Sequence, residues 1–456
     1  MADANQFDIV ILGAGSGGYA CALRAVQLGK SVAIIEKDKV GGTCLHYGCI
    51  PTKAFLHAAE VADTAREGAA IGVNSSLESI DMGKVVGYKQ GIIDRLFKGL
   101  QGLIKSGGIT VVEGAGRLVD AHTVEVNGQR YSGTNVVLAS GSVARTLGIE
   151  IGGRVMTSTE ALQMDEVPQR AVIIGGSVIG VEFASVWNSF GTDVTIIEGL
   201  PSLVPLEDPV LSKGLERAFR KRKIAFKTGI KFSSVTQNDS GCVVTLEDGS
   251  TIETDVVLVA VGRGPNSAGL GYEEAGVTVD RGWVPTNERL HTNVPGVYAV
   301  GDLVPGLQLA HRGFAHGIFV AEDIAGLNPE PIVDSGIPRV TYCEPELASV
   351  GLTEAQAKEK YGEVETVEYN LGGNGKSQIL GTTGLVKLVR EKGGPIVGVH
   401  MIGARMGEQV GEASLMVNWE AYPEDVAQFI HAHPTQNEAL GEAALALAGK
   451  PLHSHA

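Results

Sequence analysis

Ile9-Val10-Ile11-Leu12-Gly13-Ala14-Gly15-Ser16-Gly17-Gly18 is a short apolar run that ends abruptly in glycines. An amphipathic stretch follows to about Leu28, then a second apolar run, Ser31-Val32-Ala33-Ile34-Ile35, closed by Glu36. The pattern predicts a strand, a tight turn, a helix and a parallel strand. Gly13 suits the turn, Gly15 lets backbone approach a pyrophosphate, and Gly18 allows close packing of helix on strand. Glu36, 18 positions after Gly18, is placed to accept from a ribose hydroxyl. The unit reads as a dinucleotide site.

The same pattern returns 162 residues later. Ala171-Val172-Ile173-Ile174 leads into Gly175-Gly176-Ser177-Val178-Ile179-Gly180, then a helix, then Asp193-Val194-Thr195-Ile196-Ile197-Glu198, and Gly180 to Glu198 is again 18 residues. Two such units imply two dinucleotides, most economically a resident FAD and a visiting nicotinamide dinucleotide. Ser177 stands where the middle glycine belongs and is expected to put a Cβ in the phosphate approach. Glu198 suits the free 2′-hydroxyl of NAD and would repel the 2′-phosphate of NADP.

The rest of the chain frames these units. Its 456 residues carry 37 basic and 52 acidic side chains, a net charge of −15, which argues against a nucleic-acid partner. Arg220-Lys221-Arg222-Lys223 is the one dense basic run, expected as a solvated helix face. No stretch is apolar for the roughly 18 residues of a membrane span. The start, Met1 to Phe7, lacks a signal-peptide pattern, so the expected location is cytoplasmic. Strands are expected at Ile109–Glu113, Asn135–Ala139 (followed by Ser140-Gly141), around 242–262, and at Gly296–Asp302. From about Pro338 the chain reads as strands with two or three helices and no nucleotide motif. The expected fold class is α/β: two Rossmann-like dinucleotide-binding domains and a C-terminal α+β interface domain. The expected boundaries are 1–145 and 269–337 for the first domain's two parts, 146–268 for the second domain, and 338–456 for the interface.

Of five cysteines, Cys21, Cys242 and Cys343 sit singly among apolar or β-type neighbours and read as core thiols. Cys44 and Cys49 lie in Gly41-Gly42-Thr43-Cys44-Leu45-His46-Tyr47-Gly48-Cys49-Ile50-Pro51-Thr52-Lys53. In an unbroken helix their Cα atoms would stand roughly 8 to 9 Å apart, beyond the disulfide window of about 4.4 to 6.8 Å. An irregular turn at Gly48 or Pro51 would let them bridge, and such a bond would be strained and reducible. The plain alternative is two unpaired core thiols. A helix beginning near Thr43 would favour a thiolate.

These residues together resemble the pyridine nucleotide-disulfide oxidoreductases over nearly the whole chain. The resemblance rests on both glycine motifs, the Gly-Gly-Thr-Cys to Cys-Ile-Pro-Thr-Lys segment, Val261-Gly262-Arg263, Gly301-Asp302, and His431-Ala432-His433-Pro434-Thr435 with Glu438. It is strongest to the members that oxidise protein-bound dihydrolipoyl groups to lipoyl while reducing NAD⁺ to NADH. It implies that Cys44 exchanges with substrate and that Cys49 faces the flavin in a charge-transfer pair. FAD would be held by Gly13, Gly15, Gly18, Glu36, Gly42, Thr43, Lys53, Gly141 and Asp302. NAD would be held by Gly175, Ser177, Gly180, Glu182, Glu198 and Gly262, with Lys53 paired to Glu182. A solvated lysine, a first-turn glutamate and, for Asp302, an exposed turn aspartate are the alternatives.

His433 is implied as the base and Glu438 as its orienting partner. The pair would reach the disulfide of a second subunit, which makes the expected protein a homodimer. The expected partners are lipoyl domains of 2-oxoacid dehydrogenase acyltransferases or the glycine-cleavage carrier. No metal is expected; a His431/His433 site completed by His453 or His455 lacks the usual ligand set. His46 and Tyr47 stand where Asn and a small aliphatic residue are common, Thr52 replaces a frequent Ser, and His316 occupies an often acidic position. Reductases that use NADPH usually place basic residues where this chain has Glu198-Gly199-Leu200-Pro201. Relatives with a second, C-terminal redox pair are not matched by the tail from Pro451 to Ala456. A mycothiol-type disulfide reductase, an NADH diaphorase or oxidase, and a non-catalytic docking subunit stay open as alternatives.

Overall fold

The computed structural model describes residues 5–453; residues 1–4 and 454–456, and with them the reading of the extreme N-terminus and of His455, lie outside the described residues. The first sheet is built on Gln6–Leu12, paired in parallel with Val32–Glu36 on one side and Gln129–Leu138 on the other. Thr110–Glu113 extends it beyond Val32–Glu36, also in parallel. Ile9, Val10 and Ile11 are fully buried, as strands covered on both faces require. Gln129–Leu138 is long enough to serve two partners on its far edge. Its start pairs antiparallel with Thr123–Val126 and its end pairs in parallel with Val297–Ala299.

The second sheet repeats this plan, in the order Ala225–Thr228, Asp193–Glu198, Arg170–Ile174, Val256–Val259, Val155–Met156, all parallel. A three-stranded antiparallel meander, Phe232–Asn238, Gly241–Leu246 and Thr251–Thr254, stands beside it. The chain passes between the two sheets through a short antiparallel ribbon of Ser142–Ala144 and Arg263–Pro265.

The C-terminal part is a five-stranded antiparallel sheet whose apolar face packs against helices Met406–Asn418 and Glu438–Leu447. Three helices here have eight or more residues, the third being Glu354–Tyr361. Two shorter ones, Gly375–Leu380 and Pro423–Val426, were not foreseen, because single turns leave no apolar period to read. The architecture is thus α/β with two similar nucleotide-type sheets and an α+β C-terminal unit.

The basic run needs correction at one residue. Arg222 bonds to the Oγ atoms of Ser185 and Ser189, to Asp63 Oδ2 and to the Glu344 carbonyl. It joins helix Cys49–Glu67 to the second sheet's helix and to the C-terminal unit, where partners distant in sequence, not solvent, take its donors.

Candidate active site and nucleotide cradles

The two glycine turns are copies of one another. Gly13 has φ +106° and Gly175 φ +110°, and a Cβ on either would lie 2.3 Å from the carbonyl oxygen of Ala139 or Ala260. A Cβ on Gly18 or Gly180 would lie 1.9 Å from the carbonyl oxygen of Gly13 or Gly175. Glu36 accepts from the Ala14 and Asp38 N–H groups at 2.8 and 2.9 Å. Glu198 accepts from the Gly176 and Leu200 N–H groups at 2.7 and 2.8 Å. Each carboxylate therefore braces its own turn at the end of the second strand.

At Gly15 a Cβ would meet nothing within 4 Å. Sterics of the protein itself do not demand glycine there, and the space in front of it is open. Helix Ser16–Gln27 begins with no side-chain cap, so its first N–H groups are free for an anion. These features fit a dinucleotide pyrophosphate. Ser177, at the matching place, has φ −90° and ψ −168°, close to the φ −69° and ψ −171° of Gly15, and its side chain does not cap the helix. Its backbone is extended, so serine sits there without strain.

Gly42, at φ +60°, brings the cysteine segment onto the first turn: its Cβ would lie 2.7 Å from the Gly15 Cα. The Gly41 N–H also donates to the Ala14 carbonyl at 2.8 Å. Gly141 and Gly262 occupy equivalent places after their strands, both with positive φ and open space around them. Asp302 Oδ2 accepts from the Ser142 hydroxyl at 2.6 Å, and Arg263 holds Ser142 through Nε and Nη2 at 2.7 and 2.6 Å. The adjacent Gly301 N–H donates to Nδ1 of His316, a buried ring. Thr43 and Tyr47 line a cavity of about 220 Å³ with Ser142, Thr159 and Arg263. Ser142 and Arg263 complete a constellation that sequence offsets alone do not rank.

The cysteines lie on two helices. Gly42–Tyr47 is a single short helix, Gly48 breaks it at φ −140° and ψ −102°, and Cys49–Glu67 starts anew. Gly48 makes the irregular turn, while Pro51 sits in the second helix's first turn, where its missing N–H costs nothing. Both cysteines are free thiols. The neighbouring Cys44 thiol holds Cys49 below the usual thiol range against the effect of burial, with the Lys53 ammonium adding to it. Cys44 is correspondingly raised, by its Cys49 neighbour and by burial. Of the two, the surroundings of Cys49 are the more favourable to a thiolate.

Lys53, one turn further on, meets both oxygens of Glu182 at 3.0 and 2.8 Å. Burial lowers its affinity for a proton, but the Glu182 carboxylate outweighs that and leaves the ammonium above its ordinary value. Glu182 Oε1 also accepts from the Tyr342 N–H at 2.9 Å, and the Tyr342 ring lies 4.7 Å from Lys53 Nζ. Glu182 is therefore engaged as the partner of Lys53 and of the C-terminal unit, not as a free nucleotide ligand. No sequence signal points to Tyr342, which is 160 residues from Glu182.

His433 Nδ1 lies 2.7 Å from Glu438 Oε1, and Glu438 Oε2 accepts from the Thr435 N–H at 2.7 Å. Burial raises the Glu438 carboxyl, but these partners hold it below the usual range. The His433 side chain is 75% exposed, and among the described residues none of its bonds reaches the cysteines of its own chain. His431, its side chain 8% exposed, is bonded instead to Glu412, whose other oxygen accepts from Asn437 at the start of the next helix. His453 is tied to Glu442. Among the described residues no cluster of three or more His, Cys, Asp or Glu could hold a metal ion. Nor is any described helix long and apolar enough to cross a membrane.

Residues 7–317 match the pyridine nucleotide-disulphide oxidoreductase family, and residues 337–444 match its dimerisation domain. A dihydrolipoyl dehydrogenase of Bacillus subtilis is 41% identical, with 99% of this chain and all of that protein covered. The mitochondrial dihydrolipoyl dehydrogenase of Pisum sativum is 38% identical over 98% of this chain and 93% of that protein. Among solved structures, LpdA from Mycobacterium tuberculosis superposes with a TM-score of 0.91 at 25% identity, covering 97% of this chain and all of that one.

Proposed function

The chain belongs to the pyridine nucleotide-disulphide oxidoreductase family, and from that premise we propose that it is a dihydrolipoyl dehydrogenase working as a homodimer. The observation that carries this reading is the Cys44–Cys49 pair, two free thiols on consecutive helices with the Lys53–Glu182 ion pair one turn beyond Cys49. Relatives bearing that activity in their names match the chain from end to end.

The first cradle, Gly13, Gly15, Gly18, Glu36, Gly42, Thr43, Gly141 and Asp302 with Lys53, would hold FAD. The second, Gly175, Ser177, Gly180, Glu198 and Gly262, would hold NAD, and the Glu198 carboxylate would turn away a 2′-phosphate. The flavin, when bound, accepts an electron pair from thiols and passes it on as hydride to nicotinamide. The remaining chemistry belongs to side chains of this chain. In the oxidised protein Cys44 and Cys49 form a disulfide. Nε2 of His433, contributed by the second subunit, takes the proton of one dihydrolipoyl thiol. The resulting thiolate attacks Cys44 Sγ, the Cys44–Cys49 bond breaks, and Cys49 leaves as the thiolate. The second substrate thiol then attacks the substrate sulfur of the mixed disulfide, closes the lipoyl ring and releases Cys44, which ends protonated. Two electrons now reside in the protein's dithiol, the state in which both cysteines are free. Glu438 keeps the His433 proton on Nδ1 until Nε2 takes up another, and it stabilises the imidazolium formed.

The intended partner in this reading is a lipoyl domain of a 2-oxoacid dehydrogenase acyltransferase or of the glycine-cleavage carrier, in the cytoplasm. The test is NADH formation from free dihydrolipoamide, with NAD⁺ and NADP⁺ run in parallel. Turnover with NAD⁺ and little with NADP⁺ is expected. A yellow, flavin-loaded protein that does not oxidise dihydrolipoamide would refute the substrate assignment, and mycothiol disulfide would be the next substrate.

A further inference from the structure

The short helix that carries Cys44 is tied back to the adenosine end of the first cradle by its last two side chains. Tyr47 donates its hydroxyl to Asp38 Oδ2 at 2.7 Å. The Asp38 N–H donates to Glu36 Oε1 at 2.9 Å, and Glu36 Oε2 accepts from the Ala14 N–H at 2.8 Å. These bonds form an unbroken run from the glycine turn, through the carboxylate at the ribose position, to the end of the cysteine helix. His46 adds a second stitch to the same loop. Its Nε2 lies 2.9 Å from the Val40 carbonyl, and its ring stands edge-on to Phe97 at 4.9 Å. Burial and then the Asp38 carboxylate push the Tyr47 phenol up to about 12, so it remains a donor at neutral pH. Among the described residues Asp38 forms no ion pair, and Glu36 is already committed to backbone N–H groups.

We infer that Tyr47 is a positioning residue, a latch that makes release of the adenosine end of FAD require movement of the Cys44 helix. The residues usual at positions 46 and 47, Asn and a small aliphatic, could not reproduce it: an aliphatic side chain has no hydroxyl to give Asp38. The loop Lys37–Gly41 follows Glu36 directly and is bonded to it and to Ala14, so departure of a ribose held at Glu36 bears on this loop. With Tyr47 bonded to Asp38, movement of the loop pulls on the segment holding the redox thiols. The latch thus links how long the cofactor stays to how tightly Cys44 is held. The inference rests on the reading that the first cradle binds FAD.

The test uses the flavin-loaded dimer and compares wild type, Tyr47→Phe, Asp38→Ala and the double variant. Asp38→Ala removes the carboxylate but keeps the backbone bond to Glu36. FAD release is followed by recovery of flavin fluorescence on dilution. Alkylation of Cys44 by iodoacetamide is followed by peptide mass in the NADH-reduced protein. The Tyr47–Asp38 bond is exposed, so each single variant should release FAD about threefold faster, near the low end for a hydrogen bond. The double variant should be no faster than either single one, because both break the same bond. Cys44 alkylation should rise in step with release; a rise in alkylation at unchanged flavin release would mark general loosening and overturn the latch. Wild-type release in Tyr47→Phe, or additive effects in the double variant, would overturn the latch while leaving the cofactor reading intact. If Tyr47→Phe misfolds, Asp38→Ala decides alone, by the same two rates. A folded wild-type protein that binds no FAD would overturn the cofactor reading itself, and the latch with it.

Discussion

Replacing Glu438 by glutamine changes a single functional atom and should remove most of the thiol chemistry. The native carboxylate has two acceptor oxygens and uses both: Oε1 for His433 Nδ1 and Oε2 for the Thr435 N–H, each at 2.7 Å. A glutamine offers one acceptor for these two donors. If its carbonyl keeps Thr435, its NH₂ faces Nδ1, and the ring must carry its proton on Nε2. That nitrogen can then no longer take a proton from a substrate thiol. If the amide turns over, its NH₂ opposes the Thr435 N–H, and leaving that donor unpaired costs roughly 1–3 kcal/mol. The first arrangement is the cheaper, and it disables the base. Loss of a positioned general base typically costs on the order of 10²–10⁴ in rate, so turnover with dihydrolipoamide should fall by at least about 100-fold. The assay is steady-state NADH production across pH 6–9, beside NADH-driven ferricyanide reduction, which needs no thiol proton transfer and should be retained. Dihydrolipoamide turnover within about threefold of wild type would refute the argument that Glu438 sets the tautomer of His433.

Three further outcomes are expected. Gly15→Ala should fold normally, because the added Cβ meets nothing within 4 Å, yet lose FAD; Gly18→Ala should compromise folding itself, because its Cβ would lie 1.9 Å from a carbonyl oxygen. Circular dichroism and flavin absorbance of the two purified variants separate these effects. Lys53→Met leaves the Glu182 carboxylate, 3% exposed, with only the Tyr342 N–H; since Lys53 is itself 34% exposed, the loss should be about 2 kcal/mol, below the range for a fully buried pair, and Lys53→Met/Glu182→Gln should recover part of the thermal midpoint. His316 is depressed to about 4, chiefly by burial and then by Arg312. Below pH 6.5 the unfolded chain takes a proton that the native ring refuses, so stability falls as pH drops from 6.5 toward 4, by at most roughly 3 kcal/mol. His316→Gln keeps an acceptor for the Gly301 N–H and should flatten that part of the acid slope in denaturant melts; an unchanged slope would refute the assignment.

The parts of this protein that were legible in the sequence are those whose physics is local. A glycine turn works only if the strand, the glycines, the helix and the terminal carboxylate follow at fixed offsets, so both cradles could be read residue by residue, down to the pairing of Glu36 with Glu198. The same holds for the His433–Glu438 pair, five positions apart. At Ser177 the sequence supplies the Cβ but not the backbone, and the extended φ and ψ show that serine is accommodated there as readily as the glycine of the first turn. Arg222 was misjudged because a run of charges says nothing about acceptors brought from elsewhere.

What only the tertiary structure decided is what depends on distant segments meeting. The break at Gly48 places Cys49 at the head of a 19-residue helix, and it is this placement, with Cys44 and Lys53 beside it, that lowers the Cys49 thiol. Lys53 finds Glu182 across 129 positions, and Glu182 finds Tyr342 across 160. Such meetings leave no period or spacing in the chain, since they depend on how segments far apart in sequence pack against one another. The sequence by itself determined the two nucleotide units and singled out the cysteine pair and the His433–Glu438 pair. The packing of three units against one another determined the surroundings of Cys49 and Lys53, because a charge in a buried site is set by whichever partners the fold delivers.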